Sequence, residues 1–178
     1  MDINRSRAMQ FMECNRKYHY SYNLGLDLKK QKIPLLVGTA VHKFLETWYN
    51  TQDRSTDERL KESKAILVDA INQHVDKGNP LEVEMMSGVL QDTTELCTQY
   101  VQTYGTKDNV TVIEPEVFGR APLLNNHWLI FLTDAVIRYN GSLWLMENKT
   151  TSRMGPGFIE SFSLDHQPIC YVYGARKI

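Results

Sequence analysis

The side chains best placed to do chemistry are Asp134, Glu147 and Lys149, which flank the dipeptide Asn140-Gly141. Asn-Gly between two apolar runs signals a two-residue hairpin loop, because both turn positions need a positive φ that asparagine tolerates and glycine adopts freely. With Tyr139 opposite Ser142, cross-strand partners have residue numbers that add to 281, so Asp134 faces Glu147. Directly opposed residues point to the same side of a sheet, with Cβ atoms roughly 4.5–5.5 Å apart. Two carboxylates so placed repel each other, and the neighbouring Leu132, Val136 and Leu145 are apolar. A divalent cation would remove the repulsion. Lys149, two positions beyond Glu147, falls on the same face of an extended strand. A carboxylate pair beside an ammonium can hold Mg²⁺ or Mn²⁺, activate water and neutralise a phosphate in transit. The same residues are also compatible with a structural ion pair from Lys149 to one acid, the other being protonated or solvated.

These groups need elements to position them. A helical repeat runs over residues 36–49, with Val37, Ala40, Val41, Phe44, Leu45 and Trp48 on one stripe. A second helix is expected over residues 57–76, with Leu60, Leu67, Ile71 and His74 on one side. A third covers residues 82–104, after a break at Asn79-Pro80 and before a stop at Gly105. Cys97 lies in the apolar stripe of this third helix, which marks it as core. Beyond Gly105 the texture becomes β: residues 110–113 and 116–118, then the longer strands 127–139 and 142–150. A Gly-Pro-Gly loop at 155–157 follows, and a last helix over 163–176. Helices, then strands, then a helix imply an α/β chain in which a small twisted sheet carries helices against it.

The chain of 178 residues is 42% hydrophobic and 23% charged, as expected of one folded domain over residues 1–178. Twenty basic against twenty-one acidic residues exclude coating of nucleic acid by bulk charge. The charge is polarised, however. The first 32 residues hold seven basic side chains against three acids, a local +4 that leaves −5 for the remainder. Tyr18, Tyr20, Tyr22 and Phe11 interleave with Arg16, Lys17, Lys29 and Lys30 in this segment. Such a segment either grips phosphates and stacks on bases or forms a solvated helix with its tyrosines packed inward. Three scattered cysteines, Cys14, Cys97 and Cys170, with no CxxC pair, imply a reducing compartment. The start carries no apolar signal segment, and no apolar run approaches a membrane span, so a cytoplasmic protein without membrane contact is expected.

Asp134, twelve residues, then Glu147-Asn148-Lys149 resembles the catalytic signature of the PD-(D/E)XK nuclease superfamily. Three further stretches resemble its RecB-like branch. Gly38, His42 and Glu46 match a Gly-xxx-His-xxx-Glu helix, and Gln167 and Tyr171 match a Gln-xxx-Tyr motif. Cys14-Asn15-Arg16-Lys17-Tyr18 is similar to an N-terminal Cys-Pro-Arg-Lys-Tyr segment. The order agrees with that of the RecB and AddB nuclease domains and of the small exonucleases of CRISPR adaptation and phages.

The resemblance implies a restriction-endonuclease-like core, with a small mixed sheet, flanking helices and a helical N-terminal half. It implies a DNA exonuclease that uses Mg²⁺ or Mn²⁺ in a bacterial, archaeal or phage setting, with recombination or CRISPR-adaptation proteins as partners. Asp134 and Glu147 would bind the metal, with the Asn148 carbonyl and His42 completing its shell, and Lys149 would stabilise developing charge. Gln167 and Tyr171 would position the lysine or the strand, and Arg16, Lys17 and Tyr18 would contact DNA. From the residues alone His42 lies about 130° from the centre of its helix's apolar stripe, where solvation is the other option. Glu116 is a weaker candidate, on the strand before Asp134. His19, His74, His127 and His166 suggest surface or core roles. The alternative is an inactive module of the same fold that binds DNA or a partner.

The chain also departs from the pattern. Phe131 stands where many relatives have glycine, and Asn15 replaces the usual proline. Three cysteines cannot supply four ligands, so an all-cysteine [4Fe–4S] site is not possible in this chain. The end at Ile178 is compatible with a natural minimal form or a shortened chain.

Overall fold

Hydrophobic period decides the layout. The computed structural model describes residues 1–26, 32–76, 78–105, 110–151 and 155–177, and of residues 161–164 and 166 the backbone only. Lys29, Lys30 and the side chain of His166 therefore lie outside the described residues. A two-residue strand β1 (Asp2–Ile3) leads into α1 (Arg5–Glu13), the single turn α2 (Asn15–Tyr18) and a π-helical turn (His19–Asn23). Three longer helices follow: α3 (Ile33–Asn50), α4 (Thr56–Asn72) and α5 (Pro80–Tyr104). Then come β2 (Thr111–Pro122), β3 (Trp128–Tyr139), β4 (Ser142–Met146), α6 (Pro156–Leu164) and α7 (His166–Ala175). This is the expected α/β class: one small mixed sheet with flanking helices and a helical N-terminal half. Among the described residues no helix is long and apolar enough to cross a membrane.

The apolar stripe of α3 builds the helical core. Leu36, Ala40, Phe44, Leu45 and Trp48 are buried against Leu67 and Ile71 of α4 and Met86, Cys97 and Val101 of α5. Cys97 is thus the core residue its spacing implied, and burial pushes its thiol up to about 12. Arg59 closes one end of this core, with its guanidinium 3.8 Å from the Trp48 ring centroid and donating to the Trp48 carbonyl.

Several boundaries differ from those read in the sequence. Asn79 and Pro80 start α5 instead of breaking the chain, since Asn79 accepts from the Glu82 N–H and Pro80 needs no donor in the first turn. The helix expected over 57–76 ends at Asn72, which leaves His74 exposed in the following turn. Gly105 ends α5 with φ −60°, so a left-handed cap is not the reason; a Cβ there would lie 2.7 Å from the Val101 carbonyl and 2.8 Å from Trp48. The two short strands before Asp134 are one strand, β2, bulged between Val112 and Glu114. The Gly-Pro-Gly loop opens α6 at Pro156. The last helix is two, because Asp165 leaves helical φ/ψ and caps α7 by accepting from the Gln167 N–H.

β3 is the central strand. β2 pairs antiparallel along one edge, while β1 (parallel, at Trp128 and Leu129) and β4 (antiparallel, from Ala135 to Tyr139) share the other. Among the described residues no strand lies beside residues 130–134 on that second edge.

Phe131 explains its own departure from glycine. Its ring fills space left by two glycines: a Cβ on Gly119, its cross-strand partner, or on Gly174 of α7 would sit 2.0 Å from a Phe131 ring carbon. The close approach seats α7 against β3, and the Phe131 and Tyr171 rings lie 5.9 Å apart. Gly174→Ala is expected to cost about 1–3 kcal/mol in urea unfolding, the usual range for overpacking, and Phe131→Leu in the same chain should recover most of it.

Candidate active site

The hairpin forms as its sequence dictates. Asn140 and Gly141 have φ 49° and 78°, and the pairs from Tyr139↔Ser142 to Ala135↔Met146 all keep the predicted register. β4 then ends at Met146, four residues short of the strand expected over 142–150. The reason lies in Asp134. The Asn148 N–H donates to Asp134 Oδ2 at 2.5 Å, and the Asn148 side-chain amide donates to the same oxygen at 3.1 Å. The carboxylate thus captures a main-chain donor that the ladder would have used, and residues 147–151 leave the sheet.

The acids do not lie in a uniformly apolar layer. Burial alternates along β3, with Leu129, Phe131, Thr133, Ala135 and Ile137 inside, while Leu132 is 48% exposed and Asp134 is half-buried. Asp134 Oδ1 meets His42 Nδ1 of α3 at 2.9 Å. His42 is therefore engaged with the site and not merely solvated. Lys149 bonds Glu147 Oε1. Gln167 Nε2 donates to the same oxygen at 2.7 Å and to the Tyr171 hydroxyl at 2.5 Å, so α7 braces Glu147 through one amide. Glu147 Oε2 is buried and finds no hydrogen-bond partner among the described residues. The structure thus brings His42, Asp134, Glu147, Asn148, Lys149, Gln167 and Tyr171 together.

The environments drive the two acids apart. Burial pushes the Asp134 carboxyl up, but hydrogen bonds from His42 and Asn148 outweigh it and hold the group below its ordinary value. For Glu147 burial outweighs the bond to Lys149, and the carboxyl is raised. The hydrogen bond to Asp134 raises His42. Burial lifts the Tyr171 hydroxyl to about 12, so it stays protonated at neutral pH.

Among the described residues, no three His, Cys, Asp or Glu side chains form a ready-made metal cage; His42 is instead the hydrogen-bond partner of Asp134. The donor set nevertheless fits a hard divalent cation. Asp134 and Glu147 are oxygen donors of the kind such an ion takes, and among the described residues the buried Glu147 Oε2 has no hydrogen-bond partner, which a buried site tolerates only at a cost.

The model of the PD-(D/E)XK nuclease superfamily matches residues 3–178. The chain belongs to that superfamily. No curated protein and no solved structure matches it. Asp134, Glu147 and Lys149 stand in that chain order at the end of the hairpin, with Lys149 bonded to Glu147.

Arg16, Lys17 and Tyr18 are not among the residues bonded in this cluster, whereas Glu116 borders it. Arg16 and Lys17 are exposed on α2, and Cys14 caps that turn by accepting from the Lys17 N–H. Tyr18 accepts from Arg7 Nε at 2.9 Å, and Phe11 packs edge-on against it. Tyr20 and Phe11 are exposed, whereas Tyr18 and Tyr22 are half-buried against each other, and α1, α2 and the π turn bury no residue fully. Glu116 has φ 45° and takes an ion pair from Lys43, which also holds Glu46; these acids share a small cleft with His42 and Asp134. Sequence reasoning missed Asp165 and Arg5. An Asp two residues before Gln167 was a legible cap signal, whereas nothing local ties Arg5 to it.

Proposed function

We propose that the chain is a metal-dependent DNA nuclease, an exonuclease of the RecB-like branch, forming one nuclease domain that hydrolyses phosphodiester bonds. The observation that carries this reading is the buried Glu147 Oε2, without a hydrogen-bond partner among the described residues, with Lys149 bonded to the same carboxylate. Asp134, Glu147, the Asn148 carbonyl and His42 would hold Mg²⁺ or Mn²⁺, His42 tilting the preference towards Mn²⁺. Such an ion lowers the pKa of water and offsets charge on a phosphoryl oxygen. Lys149 stands by Glu147 to orient the attacking water and to meet the negative charge gathering on the phosphate. Gln167, itself held by the Tyr171 hydroxyl, and Lys149 keep Glu147 Oε1 occupied, which directs Oε2 to the ion. The exposed Arg16 and Lys17, with Tyr18 braced by Arg7, supply a local basic surface for the strand.

Incubation with end-labelled single- and double-stranded DNA tests the reading: cleavage is expected with Mn²⁺ and none with EDTA, and cleavage that survives EDTA would refute it. The pH dependence has a defined sign. A ligating imidazole must be neutral, and the Asp134 hydrogen bond raises His42 above 6.5. Protons therefore compete with the metal up to that raised value. Apparent Mn²⁺ affinity, followed by titration calorimetry, should climb as pH rises through neutrality, with a shallower climb in His42→Ala.

A further inference from the structure

The open stretch of β3 between β1 and β4 borders a cavity of about 230 Å³. That leaves room for several water molecules. Ile130 and Leu132 line it from β3, Gln167 and Tyr171 from α7, and Arg5 and Ser6 from the first turn of α1. Among the described residues Arg5 is the one cationic side chain in its lining. Its guanidinium pairs with Asp165 at 2.9 Å through Nη2, and the Asp165 oxygen it meets also accepts the Gln167 N–H. Arg5 Nε is shielded from solvent and finds no acceptor among the described residues. A guanidinium carries five donors in a rigid fork, and a buried donor without an acceptor is costly. The fork is suited to a planar or tetrahedral oxyanion. The cavity shares Gln167 and Tyr171 with the cluster around Glu147.

We propose that this cavity is a phosphate subsite, in which Arg5 holds a backbone phosphate of the nucleic-acid strand next to the bond being cut. The assignment rests on the nuclease reading and adds a residue that the signature motifs do not include. Arg5 grips the strand on the α1 side of the gap in the sheet while the hairpin end acts on the neighbouring phosphate. The Asp165 contact pre-orients the guanidinium and couples it to the start of α7.

The test is a set of oligonucleotides, each with one phosphate replaced by an uncharged methylphosphonate, cleaved in Mn²⁺. The wild type should lose about tenfold in kcat/KM at one position beside the cleaved bond. Arg5→Gln should be weaker by a similar factor on the unmodified strand and indifferent to methylphosphonate at that position. Ser6→Asp, at an exposed site that leaves the Arg5–Asp165 pair intact, places a negative charge in the cavity and should give the same selective insensitivity. If Arg5→Gln and Ser6→Asp keep the wild-type sensitivity at every position, the subsite is refuted. It is equally refuted if Asp165→Asn reproduces Arg5→Gln in full, because Arg5 then serves only to hold α7. Absence of all cleavage by the wild type would count against the nuclease reading alone. The same substitution pattern, read as binding by fluorescence anisotropy, then decides the subsite.

Discussion

Lys149→Ala is expected to lower DNA cleavage by about 10²–10³-fold, the range seen when one preorganised group facing developing charge is removed. Its effect on folding should be small. Lys149 lies at the rim of the site, 31% exposed in its side chain, and partly exposed ion pairs contribute at most about 1 kcal/mol. The separation of these two effects is what distinguishes a chemical role from a structural one. Single-turnover rates and urea unfolding of the same preparation measure both. If a folded Lys149→Ala cuts within threefold of the wild type, the lysine has no part in the reaction and its bond to Glu147 is an ordinary ion pair.

Asp134→Asn should behave differently, because Asp134 organises the site as well as serving it. Its two oxygens accept from His42, from the Asn148 main chain and from the Asn148 side chain. An amide nitrogen in place of Oδ2 turns a donor towards the two Asn148 donors, and in place of Oδ1 it obliges His42 to present an unprotonated Nδ1. The metal-free protein is expected to lose about 1–3 kcal/mol, the cost of leaving buried polar groups unpaired. Cleavage should fall below detection. The stabilisation that Mn²⁺ gives the wild type, about 2.7 kcal/mol at a hundredfold excess over Kd, should vanish. Thermal melts with and without Mn²⁺ separate the two contributions. An Asp134→Asn protein that is still stabilised by Mn²⁺ to the wild-type extent would place the ion elsewhere.

The contrast between these variants reflects what the sequence could and could not convey. The register of the hairpin was legible because Asn140-Gly141 determines it locally, but the ladder stops at Ala135↔Met146, one pair short of the expected facing of Asp134 and Glu147. The helix bearing His42 was legible from its apolar stripe, although the stripe could not say what His42 touches 92 residues away. The premature end of β4 was not legible. It depends on a side chain of β3 outcompeting a backbone carbonyl for the Asn148 N–H, a tertiary contest with no local trace. The split at Asp165 was written in the Asp-His-Gln-Pro run but was hidden by the continuous apolar residues around it. Arg5 was invisible, because a β-strand of two residues brings it to α7 across the whole chain. Phe131 looked like a defect in the motif until Gly119 and Gly174 supplied the space its ring requires.

The most direct measurement of the central claim is anomalous diffraction from crystals grown with Mn²⁺ at a concentration that supports cleavage. A single strong peak bonded to both Asp134 and Glu147, with Glu147 contributing Oε2, is the predicted result. No peak between these carboxylates, in crystals of protein that cuts DNA under the same conditions, would contradict the account.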